Sequence, residues 1–409
     1  MNRAGEGRVL RSVEVDLGKR SYPVQIGAGT LASLGEEIRR RSGASQAVLV
    51  TVPAVGRRYA AALLRSVRAA GLRSSRIDVP DGDATKNLRQ VAKLYEALLD
   101  HGADRDTVLI ALGGGMVGDL TGFTAATFLR GIAFVQVPTT VLAMVDASIG
   151  GKTGVNLQRG KNLVGAFHQP RLVCIDVETL SSLAQRQRAA GFAEVIKKAA
   201  IWDADFFEVL ERDAERLMAL DRDALVPVLE RAVRIKADVV SRDEREQGLR
   251  MLLNFGHTMA HALEALLHYR RLLHGEAVAI GMVYAARRSE ALGLATAGTA
   301  DRLEALCRRF GLPTELLRFE RSAYLAALGV DKKRRDSRIH YVVLRGIGRA
   351  ETTPLTPSEI AAAVPRGGVR GPRSGSGKTG AKQGVRRQAV SKHKTRGTPR
   401  SRGAGEENA

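Results

Sequence analysis

Cysteines, aromatic side chains and long apolar runs are all scarce in this chain of 409 residues. The two cysteines, Cys174 and Cys307, lie far apart, which argues against a disulfide framework and a paired-cysteine metal site and suits a reducing compartment. The longest apolar run, AVAIGMVYAA from Ala277, falls well short of the roughly 20 residues that a membrane span needs. The amino-terminal MNRAGEGRVLRSVEVDLG holds no apolar core of the kind a secretory signal requires. These absences predict a soluble, cytoplasmic protein with no membrane partner. Aromatics at 4% against 43 glycines suit an α/β protein with several tight turns. The length suffices for two ordinary domains with a good-sized core.

Acidic residues are outnumbered, 43 to 64, for a formal net charge of +21. Much of the excess sits at the end, where residues 366–409 carry twelve Lys and Arg against two Glu. The basic body suits anionic small substrates as well as nucleic acid. The tail has no apolar periodicity and is expected to be disordered, since it cannot bury enough surface to offset chain entropy. Its GSGKT is not a phosphate loop, because Pro372 stands where the motif needs glycine and no strand precedes it. The tail is expected to touch nucleic acid only non-specifically, through phosphate charge.

Alternating apolar runs and amphipathic stretches fill the first 180 residues. SVEVDLGKRSYPVQIG reads as two strands around a Gly-Lys turn. Gln46–Val52, RIDVP, DTVLIALGGG, AFVQVPTT and RLVCIDV read as further strands, with helices through Ala70 and over Leu88–Asp100. Strands alternating with helices predict a parallel α/β sheet over residues 1–180. From Ser181 the pattern turns helical, with segments at Arg186–Trp202, Asp205–Leu220, Leu225–Val240, Leu252–Leu267, Glu276–Leu292 and Ala300–Phe310. Only RIHYVVLRGIG looks like strand there, which predicts a mainly helical unit over residues 181–365.

Three clusters carry chemistry. GGGMVG (Gly113–Gly118) fits G-x-G-x-x-G, follows an apolar strand and precedes a helix-compatible stretch. Glycines let a backbone approach a pyrophosphate, and a helix amino terminus favours negative charge. The usual acidic ribose ligand is missing, so a dinucleotide in a variant geometry is expected; an unliganded tight turn is the plainer alternative. SIGGKTG fails the phosphate-loop pattern at Asp146, but Lys152, Lys161 and Asn162 in a Gly-rich stretch suit a phosphate clamp, or simply a basic loop. Finally, LNFGHTMAHALEALLHYRRLLHGE holds four of the eight histidines. His257 and His261 share a helix face at a spacing that can chelate zinc, with His274 and Glu194 as further donors. Hydrogen-bonded core histidines are the alternative. His268 reads as a surface residue.

Taken together, PDGDATK, LGGGMVGDLTGFTAATFLRGI, VQVPTTVLAMVDASIGGKTGVN, GKNLVGAFHQP, AGFAEVIKKA, DEREQGLRMLLNFGHTMAHALE, LHGEAVAIGM and DKK closely resemble the 3-dehydroquinate synthase family. The resemblance runs in unbroken order from about Val13 to Gly348, and the tail lies outside it. It implies a Rossmann-like α/β NAD-binding domain, a mainly α-helical metal-binding domain and an active site between them, in a homodimer. The implied reaction converts 3-deoxy-D-arabino-heptulosonate 7-phosphate into 3-dehydroquinate and phosphate, the second step of the shikimate pathway. Hydride passes to NAD and back, so the cofactor is not consumed.

The resemblance also assigns residues. It gives the metal, Zn²⁺ or Co²⁺, to Glu194, His257 and His274, and makes His261 a substrate-contacting catalytic group. It gives NAD to Asp81, Gly82, Asp83, Lys86, Gly114, Gly115, Met116, Val117, Gly118, Asp119, Thr139, Thr140, Lys152, Lys161, Thr179 and Ser182. The substrate phosphate falls to Lys152, Asn162, His261 and a lysine of DKK, Lys332 or Lys333, with Arg130 reaching over from the second subunit. Lys236 and Arg250 would hold the carboxylate; Asp146, Lys197 and Asn254 would address ring hydroxyls, and Glu246 would assist as acid or base.

Three positions depart from the family pattern: Val52-Pro53 stands where an acidic or amide residue meets the ribose, Asp83 replaces a glutamate, and RQRAAG lacks a glutamate. The rivals are a sister sugar-phosphate cyclase with a non-carboxylated substrate, a metal-dependent polyol dehydrogenase with net redox turnover, and a nucleic-acid-binding protein driven by its tail. Lys236 and Arg250 speak against the first, and the phosphate-directed cluster against the second. The third leaves the ordered motifs unexplained.

Overall fold

The structure, a computed structural model, describes residues 10–329 and 338–364. The basic tail and the DKK lysines Lys332 and Lys333 lie outside them. The amino-terminal part runs β1 (Arg11–Val15), β2 (Tyr22–Gly27), α1 (Leu34–Ser42), β3 (Gln46–Thr51), α2 (Pro53–Ala69), β4 (Arg73–Asp78), α3 (Leu88–Asp100), β5 (Thr107–Gly113), α4 (Gly115–Thr127), β6 (Ala133–Pro138), β7 (Lys152–Leu157), β8 (Gly160–Phe167) and β9 (Val173–Asp176). Then follow α5 (Gln185–Trp202), α6 (Ala204–Met218), α7 (Arg222–Arg242), α8 (His257–Leu266), α9 (His274–Ala291), α10 (Thr299–Arg309), α11 (Arg321–Gly329), β10 (Ile339–Gly346), β11 (Arg349–Leu355) and α12 (Pro357–Ile360).

Among the described residues, seven strands form one sheet in the order β1-β2-β9-β6-β5-β3-β4. Only β1 and β2 are antiparallel; the remaining pairs are parallel. Strands β3 and β5 are buried along their whole length, which is why they read as apolar runs without alternation. The chain passes from β3 outward to β4, then back across to β5. The order therefore reverses between β3 and β5, the place where an open α/β sheet leaves a crevice for a ligand. Edge strand β4, RSSRID, is half-buried or exposed throughout.

Helices begin where side chains cap them: the Asn87 side chain accepts from the Gln90 amide, Asp203 from Phe206, and Asp221 from Asp223 and Ala224. The change from strand to helix falls between β9 and α5. One apolar core nevertheless runs across it, joining Val13, Tyr22, Val24 and Ile175 to Phe192, Ile196, Leu229 and Val283. Among the described residues no helix is long and apolar enough to cross a membrane.

Three expectations are corrected. The Gly-rich stretch read as a basic loop able to clamp a phosphate is an antiparallel hairpin, β7–β8, with Lys152 opening its first strand. The helix expected over Leu252–Leu267 is a 3-10 turn, Leu249–Asn254, followed by α8, because Gly256 takes a left-handed φ of +80° between them. A second carboxy-terminal strand, β11, pairs with β10; its RAETTPL carries too few apolar residues to announce itself.

Candidate active site

Parallel strands put all their carboxyl ends on one edge of the sheet. The segments predicted to hold the dinucleotide follow β4 (Asp81, Gly82, Asp83, Lys86), β5 (Gly114 to Asp119), β6 (Thr139, Thr140) and β9 (Thr179, Ser182). The glycine turn opens α4, whose first amides have no capping side chain and so are free for an anion. A Cβ on Gly113 would lie 2.7 Å from Val117, and one on Gly118 2.5 Å from Gln136, so these two glycines serve the close packing of helix on strand. A Cβ on Gly114 would crowd the Thr140 side chain at 3.3 Å. Thr139 donates its amide to the Gly113 carbonyl at 2.9 Å, which joins the two turns. Met116 packs beside the buried Val117. Tyr59 of α2 donates to the Thr179 carbonyl and the Ser182 hydroxyl. Val52 is buried and Pro53 opens α2, so no carboxylate meets a ribose there. The backbone cradle fits a dinucleotide pyrophosphate without that contact.

Polar side chains knit this edge to the hairpin. Lys86, almost fully buried, reaches Asp119 at 2.6 Å and Asn162 at 2.5 Å. Burial pushes the Asp119 carboxyl up, and Lys86 offsets part of that. Lys161 pairs with Asp83 at 2.9 Å and sits 4.6 Å over the Tyr269 ring. The shorter Asp83 therefore still finds a cation.

Beside the hairpin lies a cavity of about 560 Å³ lined by Asp119, Asp146, Lys152, Asn162, Lys236 and Arg250, among others. Asp146 sits in a helical turn after β6, and a Cβ on Gly115 would come within 3.2 Å of its neighbour Ala147, so the glycine turn and the cavity wall touch. Lys236 bonds Asp146 at 2.7 Å. Burial would raise the Asp146 carboxyl, but Lys236, Lys198 and Lys197 hold it well below the usual range. Lys236 itself is lowered to about 8, chiefly by burial. Arg250 is 2% exposed, with its guanidinium on the Glu244 and Gly150 carbonyls. Lys152 pairs with Glu246, which also accepts from Asn254 at 2.9 Å. Arg130 is exposed, at a left-handed φ of +68°, and takes no part in this cavity.

The expected metal donors come from three helices. Glu194 of α5 is fully buried; its Oε2 lies 2.5 Å from the Lys197 ammonium, and among the described residues neither Oε2 nor the opposite Oε1 has a hydrogen-bond partner. His257 Nε2 lies 3.6 Å and His274 Nε2 3.8 Å from Oε1. The other ring nitrogens are engaged, His257 Nδ1 with the Phe255 carbonyl and His274 Nδ1 with Glu264, both at 3.3 Å. Those bonds turn both Nε2 lone pairs inward. Burial first, then Lys197, pushes His257 far down and keeps it neutral. Burial also lowers His274, but Glu264 and Glu194 outweigh it and the net shift is upward. All three donors fall within 4.8 Å of one another, and one carboxylate with two imidazoles is a donor set that can hold a divalent ion.

His261 is not part of this group; its ring stands 5.5 Å from His257 and 6.4 Å from His274. Of the donors the spacing offered, the structure groups Glu194, His257 and His274 and leaves His261 outside. A dinucleotide-type turn beside a three-donor metal set defines a metal-dependent enzyme that works with a nucleotide cofactor.

Comparison with known proteins is consistent. Residues 76–190 match the model of the 3-dehydroquinate synthase N-terminal domain, and residues 191–334 that of the C-terminal domain. The 3-dehydroquinate synthase of Pelobacter propionicus is 48% identical over 346 residues, covering 85% of this chain and 96% of the relative. The chain belongs to the 3-dehydroquinate synthase family. Among solved structures it is similar to a 2-epi-5-epi-valiolone synthase from Streptomyces hygroscopicus with NAD⁺ and Zn²⁺ bound, at 30% identity and a TM-score of 0.77 over 85% of this chain and 96% of that one. A 2-deoxy-scyllo-inosose synthase complexed with carbaglucose-6-phosphate, NAD⁺ and Co²⁺ has a TM-score of 0.76 at 26% identity, over 88% and 100%.

Sequence reasoning missed three contributors. Lys198, fully buried, lies 3.3 Å from Asp146. Glu264 orients His274. Gly275 packs so tightly that a Cβ would stand 1.7 Å from the Ala190 carbonyl oxygen. The i, i+4 spacing of Glu194 and Lys198 was the one signal available for the first.

Proposed function

We propose that the chain converts 3-deoxy-D-arabino-heptulosonate 7-phosphate to 3-dehydroquinate and phosphate, with NAD and a divalent metal as catalytic cofactors. The observation that carries this reading is the buried, orphaned Glu194 oxygen facing two inward Nε2 atoms, next to a cavity lined with Lys152, Lys236 and Arg250. When bound, the cofactors supply a hydride acceptor and donor and a Lewis acid for substrate hydroxyls.

The remaining work belongs to side chains. Glu194, His257 and His274 hold the ion. Lys236 and Arg250 meet the substrate carboxylate, and Lys152, Asn162 and His261 the phosphate, where charge-assisted bonds are strongest. Asp146, Lys197 and Asn254 orient ring hydroxyls. Glu246, between Lys152 and Asn254, exchanges protons; burial raises its carboxyl, but those two partners bring it below the usual range, so it rests as a base. A carboxylate clamp favours the heptulosonate over the substrates of sister cyclases. Arg130, exposed and outside the cavity, suits a role across a homodimer, which the mass of the chain in solution tests.

Purified enzyme is expected to release phosphate from the heptulosonate phosphate without net NADH, and to stop when a chelator removes the metal. Steady NADH accumulation would point instead to a dehydrogenase.

The Lys236 shift sets a pH limit. Its folded value of about 8 lies below the ordinary 10.5, so the cation is fully present only below about 8. As pH rises through 8 the clamp loses a charge, and kcat/KM should fall on the alkaline side. The unfolded chain keeps that proton up to about 10.5, so stability runs the opposite way, gaining from pH 8 to 10.5. A Lys236→Met enzyme should lose the alkaline limb; a limb unchanged in position would exclude Lys236 as its source.

A further inference from the structure

Helix α5 presents Glu194, Lys197 and Lys198 on one face, spaced i, i+3 and i+4. Lys197 pairs with Glu194. Lys198 has no part in the reading above. Its side chain is fully buried and does not line the cavity. A buried ammonium is costly unless it is paired. Here Nζ lies 3.3 Å from Asp146 Oδ1, 3.5 Å from the Glu194 carbonyl oxygen and 3.9 Å from Glu194 Oε2. Lys236 reaches the same Asp146 Oδ1 from α7, at 2.7 Å. Two cations from two helices thus converge on one oxygen, and Asp146 Oδ2 carries no hydrogen bond among the described residues. Asp146 lines the cavity with a quarter of its side chain open.

We propose that Lys198 is a positioning residue: it fixes Asp146 with Oδ2 toward the substrate and keeps Asp146 from neutralising Lys236. The inference rests on the reading of the cavity as the heptulosonate phosphate site. One carboxylate shared between two ammoniums leaves Lys236 under-compensated, and that remaining charge is what the substrate carboxylate meets. Without Lys198, Asp146 closes onto Lys236 as a simple pair, and the clamp loses most of its pull. Lys197 and Arg250 add positive charge around Asp146, and Asp119 adds negative, but none of these three bonds it.

The test is Lys198→Met in the full chain, loaded with zinc and NAD. Zinc content and NAD affinity should match the wild type, while kcat/KM for the heptulosonate phosphate falls by at least about tenfold, mainly through KM. In an Asp146→Asn background the same substitution should add nothing, because the effect passes through Asp146. Unchanged kcat/KM with only a shifted melting temperature, loss of zinc, or additive effects in the double variant would each overturn the inference. Should Lys198→Met fail to fold, the double variant decides: activity equal to Asp146→Asn alone supports the proposal, and lower activity refutes it. A wild type that releases no phosphate would overturn the functional reading and this inference together. A working wild type with an equally active Lys198→Met overturns the inference alone.

Discussion

His257→Ala is expected to purify without metal and to lose turnover by on the order of 10³-fold, the scale of a Lewis acid worth several kcal/mol. The substitution removes one of two Nε2 donors and leaves Glu194 Oε1 facing a single imidazole, and two donors do not hold a divalent ion against solvent. His261→Ala is the matched control. Its ring lies on the same helix one turn further along, outside the donor group, so that variant should keep its metal and lose on the order of 10²-fold in rate. Metal analysis of the two proteins separates the roles. An empty site in His261→Ala, or a full one in His257→Ala, would break the assignment.

Gly275→Ala is expected to do comparable damage without touching a ligand. The added methyl would stand 1.7 Å from the Ala190 carbonyl oxygen and 2.5 Å from its carbon, atoms of the α5 backbone that cannot swing aside. Helix α9 must then move away from α5. His274 is the first residue of α9, and Glu194 lies one turn beyond Ala190, so the shift separates two metal donors directly. Overpacking of this kind costs about 1–3 kcal/mol. The expected result is a folded protein with a lowered melting temperature and strongly reduced zinc affinity. Native zinc affinity in Gly275→Ala would show that the helices yield elsewhere.

How far the chain could be read beforehand depended on whether a feature was local. Strands β3 and β5 are buried on both faces, so their apolar runs announced them, and α3 ran over its expected Leu88–Asp100. The β7–β8 hairpin was hidden because its glycines at 154 and 165 sit opposite each other, where their missing side chains let the strands approach. The proposed metal donors show the same limit. Periodicity alone joins His257 to His261, since both lie on one helix, and offers His274 and Glu194 only as further donors, because their placement at the start of α9 and on α5 is encoded by no spacing. Resemblance to known motifs singled out Glu194, His257 and His274 as the set, whereas Lys198 showed only through its spacing from Glu194 and Gly275 not at all, because each acts on a residue brought near by folding.

Edge strand β4 has a further consequence. Its sequence places Arg73, Ser74, Ser75 and Arg76 along the open border of the sheet, and Arg76 is tied to Asp78. Such a border gives an incoming strand no greasy surface and a run of charged and polar side chains to desolvate, so it discourages strand-by-strand growth into aggregates. The parallel sheet can therefore keep its apolar interior strands without offering them at the β4 border. Replacing Arg73 and Arg76 with valine would remove that protection while leaving the catalytic cavity unaltered.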